Sequence, residues 1–423
     1  MSIRRPLAAI SLLVACAGLA ACGGGGSSSS SMLPPSPTPA PSATPPANAS
    51  PFDAVIAQNY SGGWGVELGV FKNGTALYTH GYGLRDRGLP DVYGHPGFWG
   101  VPPPEQVLNL SRGQLAPDAN TIYELASVSK EFTAGAILLL QQDGKLSVDD
   151  TLAKYYPSFP SAGSITLLEM MQHRSGLVDY NNFGNYPDFT DAYHAFTARG
   201  NTDYQPIVDR LASFPLDFAP GSTFEYSNSN YLVLGTIVAK VSGQPLGTFL
   251  QQRIFTPLGM THTQQGYPAA SNDFALGYET SGGAIDRAPQ WNLPWVAGAG
   301  GLTSTVGDIE LWDRAVRAPG LFTAASLAQM FAPSPFPQSY GTPAAGWFIS
   351  TLNGHRYIWH DGAFGGFQTM NATFPDDGID IVVLTNEGTG ILPYSVIPQL
   401  FPIALSSTTT QSRTAVVGVE RRK

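Results

Sequence analysis

The chain has 423 residues, a net charge of −9, and 13% charged against 43% hydrophobic residues. That balance is too apolar for a disordered chain. With no Lys/Arg run outside the termini, it also offers no electrostatic footprint for nucleic acid.

Met1 to Ala21 reads as a secretory signal: arginines at 4 and 5, then an apolar stretch from Leu7, too short and wrongly flanked for a stable membrane span. It ends Leu19-Ala20-Ala21-Cys22, which resembles the lipobox of bacterial lipoproteins. That resemblance implies cleavage before Cys22, lipidation of its thiol, and a membrane-anchored protein of the cell envelope facing the periplasm or exterior. Cys16 would leave with the signal, so no disulfide is expected. Residues 22–50 are Gly, Ser, Pro, Ala and Thr with almost nothing to bury, a tether for the globular body.

The body is expected over 51–406, followed by a loose tail over 407–423. A short helix is predicted over Pro51–Tyr60 and a hairpin over Trp64–Gly83, with Asn73-Gly74 as its tight turn. Leu84–Asp118 is a Gly/Pro/aromatic insertion carrying Tyr93, His95, Phe98 and Trp99. It reads equally as a loop over the site or an inert excursion.

Next comes Ser127-Val128-Ser129-Lys130, followed by the apolar run Ala134–Leu140 and a stop at Asp143-Gly144. This pattern predicts a buried helix with Ser127 at its N-terminus and Lys130 on the same face. A serine hydroxyl becomes a nucleophile when a neighbouring base takes its proton, and a desolvated lysine can be that base. The helix start also supplies free N–H groups for an oxyanion. The plainer alternative is a helix cap beside a solvated lysine.

Helices are then expected over Leu146–Tyr156, Ile165–Gln172, Pro206–Ser213, Ser229–Val241, Pro245–Phe255, Asp308–Val316, Ala324–Phe331 and Leu392–Leu405. Strands are expected over Trp347–Thr351, Arg356–His360, Gln368–Phe374 and Ile379–Thr385. Strands at both ends of a helical middle predict an α/β (α+β) fold. Its mixed, largely antiparallel sheet, flanked by helices, is built from about 51–144 and 300–406, with an all-α part inserted at about 145–299.

Two further stretches carry chemistry. Tyr226-Ser227-Asn228 precedes a helix and offers a phenol for proton shuttling and an amide for orienting a carbonyl; it also reads as a helix cap with a packed tyrosine. His360-Asp361-Gly362-Ala363 ends a strand, where Gly362 allows close approach of a substrate to backbone donors; it also reads as a strand-end turn.

Taken in order, S-x-x-K, Y-S-N and H-x-G resemble the serine β-lactamase and penicillin-binding superfamily, in particular class C β-lactamases, D-Ala-D-Ala carboxypeptidases and related esterases. Met170–Leu177 and Ala299–Thr305 support the likeness, which spans about Pro51 to Ser406. It implies a β-lactamase/transpeptidase-like fold and a serine hydrolase forming an acyl-enzyme on an amide, lactam or ester bond, with a small-molecule or peptidoglycan-type substrate and no metal or other cofactor. Ser127 would be the nucleophile, Lys130 its activating partner and Tyr226 the proton shuttle. Asn228 would hold the acyl side chain, and the backbone N–H groups of Ser127 and Ala363 would form the oxyanion hole.

His360 stands where many relatives keep a lysine. A neutral imidazole grips a substrate carboxylate weakly, and with an ordinary pKa of about 6.5 it would gain charge as pH falls toward 6. The competing reading is a catalytically weak penicillin-binding or cell-wall sensor lipoprotein. The sequence holds no G-x-S-x-G elbow, H-E-x-x-H or P-loop motif.

Overall fold

The computed structural model describes residues 50–60, 62–89, 114–180, 204–268, 273–281, 283–288 and 296–407. The expected signal segment, Cys22 and all but the last residue of the linker lie outside the described residues, as do 90–113 of the insertion, with Tyr93, His95, Phe98 and Trp99, and the tail from 408.

Helix α1 (Pro51–Asn59) starts with Ser50 and Asp53 capping each other's backbone N–H and with Pro51 in the first turn, where its missing N–H costs nothing. Strands β1 (Val66–Lys72) and β2 (Thr75–Tyr82) follow as the expected hairpin. Asn73 and Gly74 both take positive φ (51° and 76°), the mirror-image turn whose twist matches the flanking strands. The C-terminal third supplies β3 (Thr342–Pro343), β4 (Phe348–Leu352), β5 (His355–Phe364), β6 (Phe367–Phe374) and β7 (Ile379–Thr385).

These seven strands form one antiparallel sheet in the order β3-β4-β5-β6-β7-β1-β2. The N-terminal hairpin therefore docks on the last strand of the chain, with Val66 opposite Thr385. Buried side chains on both faces of β1, β6 and β7 show that the centre of the sheet is covered twice.

The nucleophile helix α2 (Ser129–Gln142) is buried from Ser129 to Leu140. Its Phe132 stacks on Trp312 of α4 (Val306–Arg317) with ring centroids 4.3 Å apart. Helix α3 (Asn228–Ser242) packs beside α2, and α5 (Ile397–Ser406) lies against β7 and α1. A second sheet orders Tyr123–Glu124, Leu302–Ser304 and Gln264–Gln265 side by side and leads directly into Ser127.

Five expectations change. The stretch 145–299, expected to be all-α, carries the short strands Gln264–Gln265, Tyr278–Ser281 and Ala284–Arg287, because the first finds a partner in Leu302–Ser304 and the other two pair with each other. Leu146–Tyr156 forms only a 3₁₀ turn at Leu152–Lys154, because Asp150 caps the N–H of Ser147 and draws this backbone into side-chain-bonded turns. Pro245–Phe255 is helical over Leu246–Leu250 and then widens into a π turn over Gln251–Phe255. Pro257, next in line, has no N–H to continue an ordinary ladder. Ser127 lies in a 3₁₀ turn, Ala126–Val128, ahead of α2 and does not cap it. The H-x-G motif lies within β5 rather than at its end, since that strand runs on to Phe364.

Replacing Gly74, whose positive φ most side chains avoid, should weaken the hairpin. Gly74→Val is expected to lower unfolding free energy by about 1–2 kcal/mol, read as a shift in denaturant midpoint at unchanged m-value.

Candidate active site

Strand Tyr123–Glu124 is held by Leu302–Ser304, and the Leu125 N–H donates to the Leu302 carbonyl (2.9 Å). The chain then reverses sharply through Ala126, at φ 47°. A non-glycine residue in this region is strained, which requires firm support on both sides. Thr369 of β6 supplies part of it by donating to the Leu125 carbonyl (2.8 Å). Ser127 emerges partly exposed.

Lys130, one turn on, is fully buried. Its ammonium donates to Ser127 Oγ (2.9 Å), Asn228 Oδ1 (2.8 Å) and the Ala299 carbonyl (2.6 Å), which uses all three of its protons. Burial lowers its pKa to about 7, with the carboxylates of Asp179 and Asp361 opposing the shift. Charged and neutral lysine are thus both populated near neutrality, and the neutral amine can accept the Ser127 proton.

Tyr226, on the loop entering α3, is hydrogen-bonded to the Ser127 side chain, and its ring faces the Lys130 ammonium at 5.0 Å. Burial holds the phenol well above its ordinary pKa, with the Ser127 bond opposing. Tyr226 is therefore protonated at rest and is equipped to give a proton, while Lys130 is the group able to take one.

His173 was not singled out by the sequence, although it lies in the Met170–Leu177 stretch noted above. It stacks on Tyr226 at 4.3 Å, and its Nδ1 accepts the Ser227 N–H (3.1 Å), so the neutral ring carries its proton on Nε2. Burial, then Lys130 and His360, push its pKa well below the ordinary value. His173 also holds a positive φ of 55°. The sequence shows neither this backbone state nor the stacking.

Asn228 spans Lys130 and Asp179: Oδ1 accepts from the lysine, and Nδ2 donates to Asp179 Oδ2 (3.0 Å). Each end of the amide thus has a partner within the protein, Oδ1 the lysine and Nδ2 the carboxylate.

The opposite wall is β5. Its pairing with β4 ends at Trp359–Phe348, which leaves the edge from His360 onward unpaired by β4. Gly365 and Gly366, both at positive φ, make the two-residue turn to β6, and Phe364–Phe367 closes it. Alternation along an antiparallel ladder then directs the Ala363 N–H away from β6, toward the open edge. Gly362 lies against the nucleophile turn: a Cβ there would sit 2.4 Å from the Leu125 carbonyl oxygen and 2.9 Å from Ser127 N. Only glycine allows that approach, which brings the backbone around Ala363 beside Ser127.

His360 is buried, and its Nδ1 donates to the Asp361 carbonyl (2.6 Å). Burial, and then Lys130, lower its pKa to about 3. The imidazole consequently stays neutral throughout pH 6–8, and the charge expected from the sequence on lowering pH toward 6 does not develop.

The sequence pattern of the Beta-lactamase family matches residues 52–394. The chain belongs to the β-lactamase family. Among relatives, a penicillin-binding protein of Bacillus subtilis (strain 168) is 29% identical over 290 residues, 63% of this chain and 61% of that protein. The chain thus spans about three-fifths of that relative's length. A solved octameric penicillin-binding protein homologue from Pyrococcus abyssi superposes with TM-score 0.66 at 21% identity, covering 84% of this chain and 76% of that one. The D-amino acid amidase from Ochrobactrum anthropi SV3 complexed with L-phenylalanine amide gives TM-score 0.65 at 23% identity, over 84% and 94%. These structural likenesses establish the β-lactamase-type fold.

Because Lys130 titrates near 7, labelling of Ser127 by a fluorophosphonate is expected to accelerate from pH 6 to 8, with a midpoint near 7. Lys130→Arg, permanently charged, should abolish that rise. An unchanged pH–rate profile in the variant would remove Lys130 as the base.

Proposed function

We propose that the chain is a serine hydrolase that cleaves an amide, lactam or ester bond through an acyl-enzyme on Ser127. The observation that carries this reading is the fully buried Lys130 bonded to Ser127 Oγ at 2.9 Å. Neutral Lys130 takes the Ser127 proton as Oγ attacks the substrate carbonyl. The N–H groups of Ser127 and Ala363 receive the oxyanion. As the tetrahedral species collapses, Tyr226 protonates the leaving atom and is re-protonated by way of Lys130. Water then releases the acyl group through the same groups in reverse.

Neutral His360 and Gly362 shape the wall on which the substrate lies, and Asn228 keeps Lys130 aimed. Small-molecule or peptidoglycan-type substrates fit such a cleft. The family membership and the amidase-like fold support hydrolysis rather than capture alone. The polar, cysteine-led segment before the body supports a lipid anchor at Cys22 and a place in the cell envelope.

Ser127→Ala is expected to abolish labelling by fluorescent penicillin and fluorophosphonate alike while the protein stays folded with a modestly lowered denaturation midpoint, because Ser127 does not cap α2 and Lys130 keeps Asn228 and Ala299 as acceptors. Covalent labelling of the variant would overturn the assignment. Lys130→Ala and Tyr226→Phe should each lower turnover at least about 10²-fold. One equivalent of product per protein, followed by arrest, would favour a sensor over an enzyme.

Cys22→Ala should move the protein out of the membrane fraction. Retention there after correct signal cleavage would rule out the lipid anchor.

A further inference from the structure

Asp361 lies on the stretch of β5 left unpaired by β4, two residues before Ala363, with its side chain 38% exposed. Its nearest basic group is the neutral His360, with Nδ1 4.0 Å away. Among the described residues, Lys130 is the cation bonded to Ser127, and its three protons are already committed to Ser127, Asn228 and Ala299. Among the described residues no lysine or arginine lies within ion-pair distance of Asp361, and the Lys130 ammonium acts on it only at longer range.

Its position follows from its neighbours: Oδ1 lies 4.0 Å from Nδ1 of His360, whose ring is 6.2 Å from that of Tyr226. Asp361 acts electrostatically on Tyr226, Tyr340 and Lys130, raising the pKa of each. Tyr340 packs on Phe348 (5.4 Å), Phe348 on His360 (5.5 Å), and His360 lies 6.2 Å from Tyr226. This aromatic wall marks the Tyr226 side of the cleft, where the leaving atom receives its proton in the reaction above. Burial raises Asp361 itself to about 6, so it is ionised above neutrality.

We propose that Asp361 sets leaving-group specificity: it disfavours substrates whose leaving group carries a carboxylate and favours those whose leaving group carries an ammonium. This rests on the acyl-enzyme reading and names its substrate class. Esters or amides of amino-alcohols, diamines or amine-bearing phenols fit the site. The neutral His360 offers no charge to offset the repulsion of a terminal carboxylate, and a carboxylate held near Asp361 meets like charge directly.

The test uses the purified protein at pH 8 and phenylacetyl esters of 3-hydroxybenzoate, 3-hydroxybenzamide and 3-(aminomethyl)phenol. Each rate is normalised to its spontaneous hydroxide hydrolysis. In the wild type the normalised kcat/KM for the ammonium ester should exceed that of the carboxylate ester by about tenfold or more, the scale of a charge-assisted contact. Raising ionic strength from 0.01 M to 1 M should shrink that ratio, since a partly exposed charge is screened. Asp361→Asn should bring the ratio close to one while the benzamide ester keeps its rate within a few fold, and Asp361→Lys should invert it.

A wild-type ratio near one, or a ratio insensitive to salt, overturns the inference without any variant. A ratio unchanged in Asp361→Asn overturns it equally. If the neutral benzamide ester shows Ser127-dependent turnover in any of those cases, the hydrolase reading stands and only the specificity assignment falls. If that ester shows no Ser127-dependent turnover, the hydrolase reading falls and takes this inference with it.

Discussion

Burying an ammonium without partners costs far more than a folded chain can tolerate, and the site is arranged around meeting that demand for Lys130. Three acceptors converge on its nitrogen from separate parts of the chain: Ser127 before α2, Asn228 at the start of α3, and Ala299 on the segment leading to Leu302–Ser304. Each acceptor is in turn fixed. Asn228 is held by Asp179, and Ser129 Oγ accepts the Leu302 N–H at 3.1 Å, which ties that segment to the same helix. Desolvation then does chemical work. It brings the lysine to the pH range where it can exchange a proton, while the neighbouring phenol stays protonated. Two groups with ordinary values near 10 are thereby split into a base and an acid by their surroundings.

The second constraint is the approach of strand β5 to the nucleophile turn. A serine on a strained turn is useful only if oxyanion donors lie within reach, and the second donor must come from a different element. Gly362 makes that possible, since any Cβ would collide with the Leu125 carbonyl. The strand is free to serve because β4 stops pairing at Phe348, and the open edge that would otherwise be an aggregation hazard lines the cleft.

Behind the site, a buried polar network fastens α2 to the sheet. Glu131 accepts from Trp312 Nε1 (2.8 Å) and from Asn371 Nδ2 (3.0 Å), and the same amide donates to Asp313 Oδ1 (2.8 Å). Burial, and then the neighbouring Asp313, hold Glu131 well above the usual carboxylate range. Lys130 and Glu131 are adjacent in sequence yet serve different faces of the helix, one facing the reaction and the other the scaffold. The register of Ser127 against β5 depends on both faces being satisfied.

Much of this was legible in the residues. The Asn73-Gly74 turn, the apolar α2 and the Ile379–Thr385 strand follow from local rules of backbone conformation and periodicity, which do not need distant partners. The spacing of Ser127 and Lys130, the tyrosine before α3 and the glycine at 362 likewise named the site's parts. Leu146–Tyr156 was misread because side-chain capping competes with a helix at the same periodicity. The role of His173 was invisible because it depends on stacking against a residue 53 positions away. So too were the neutral state of His360 and the place of Asp361 on the stretch of β5 that β4 leaves unpaired. A sequence specifies which groups are present and their local spacing, but a proton's free energy depends on water excluded and charges gathered by elements far apart in the chain. Only the tertiary structure sets those distances, and with them which lysine is a base and which histidine stays uncharged.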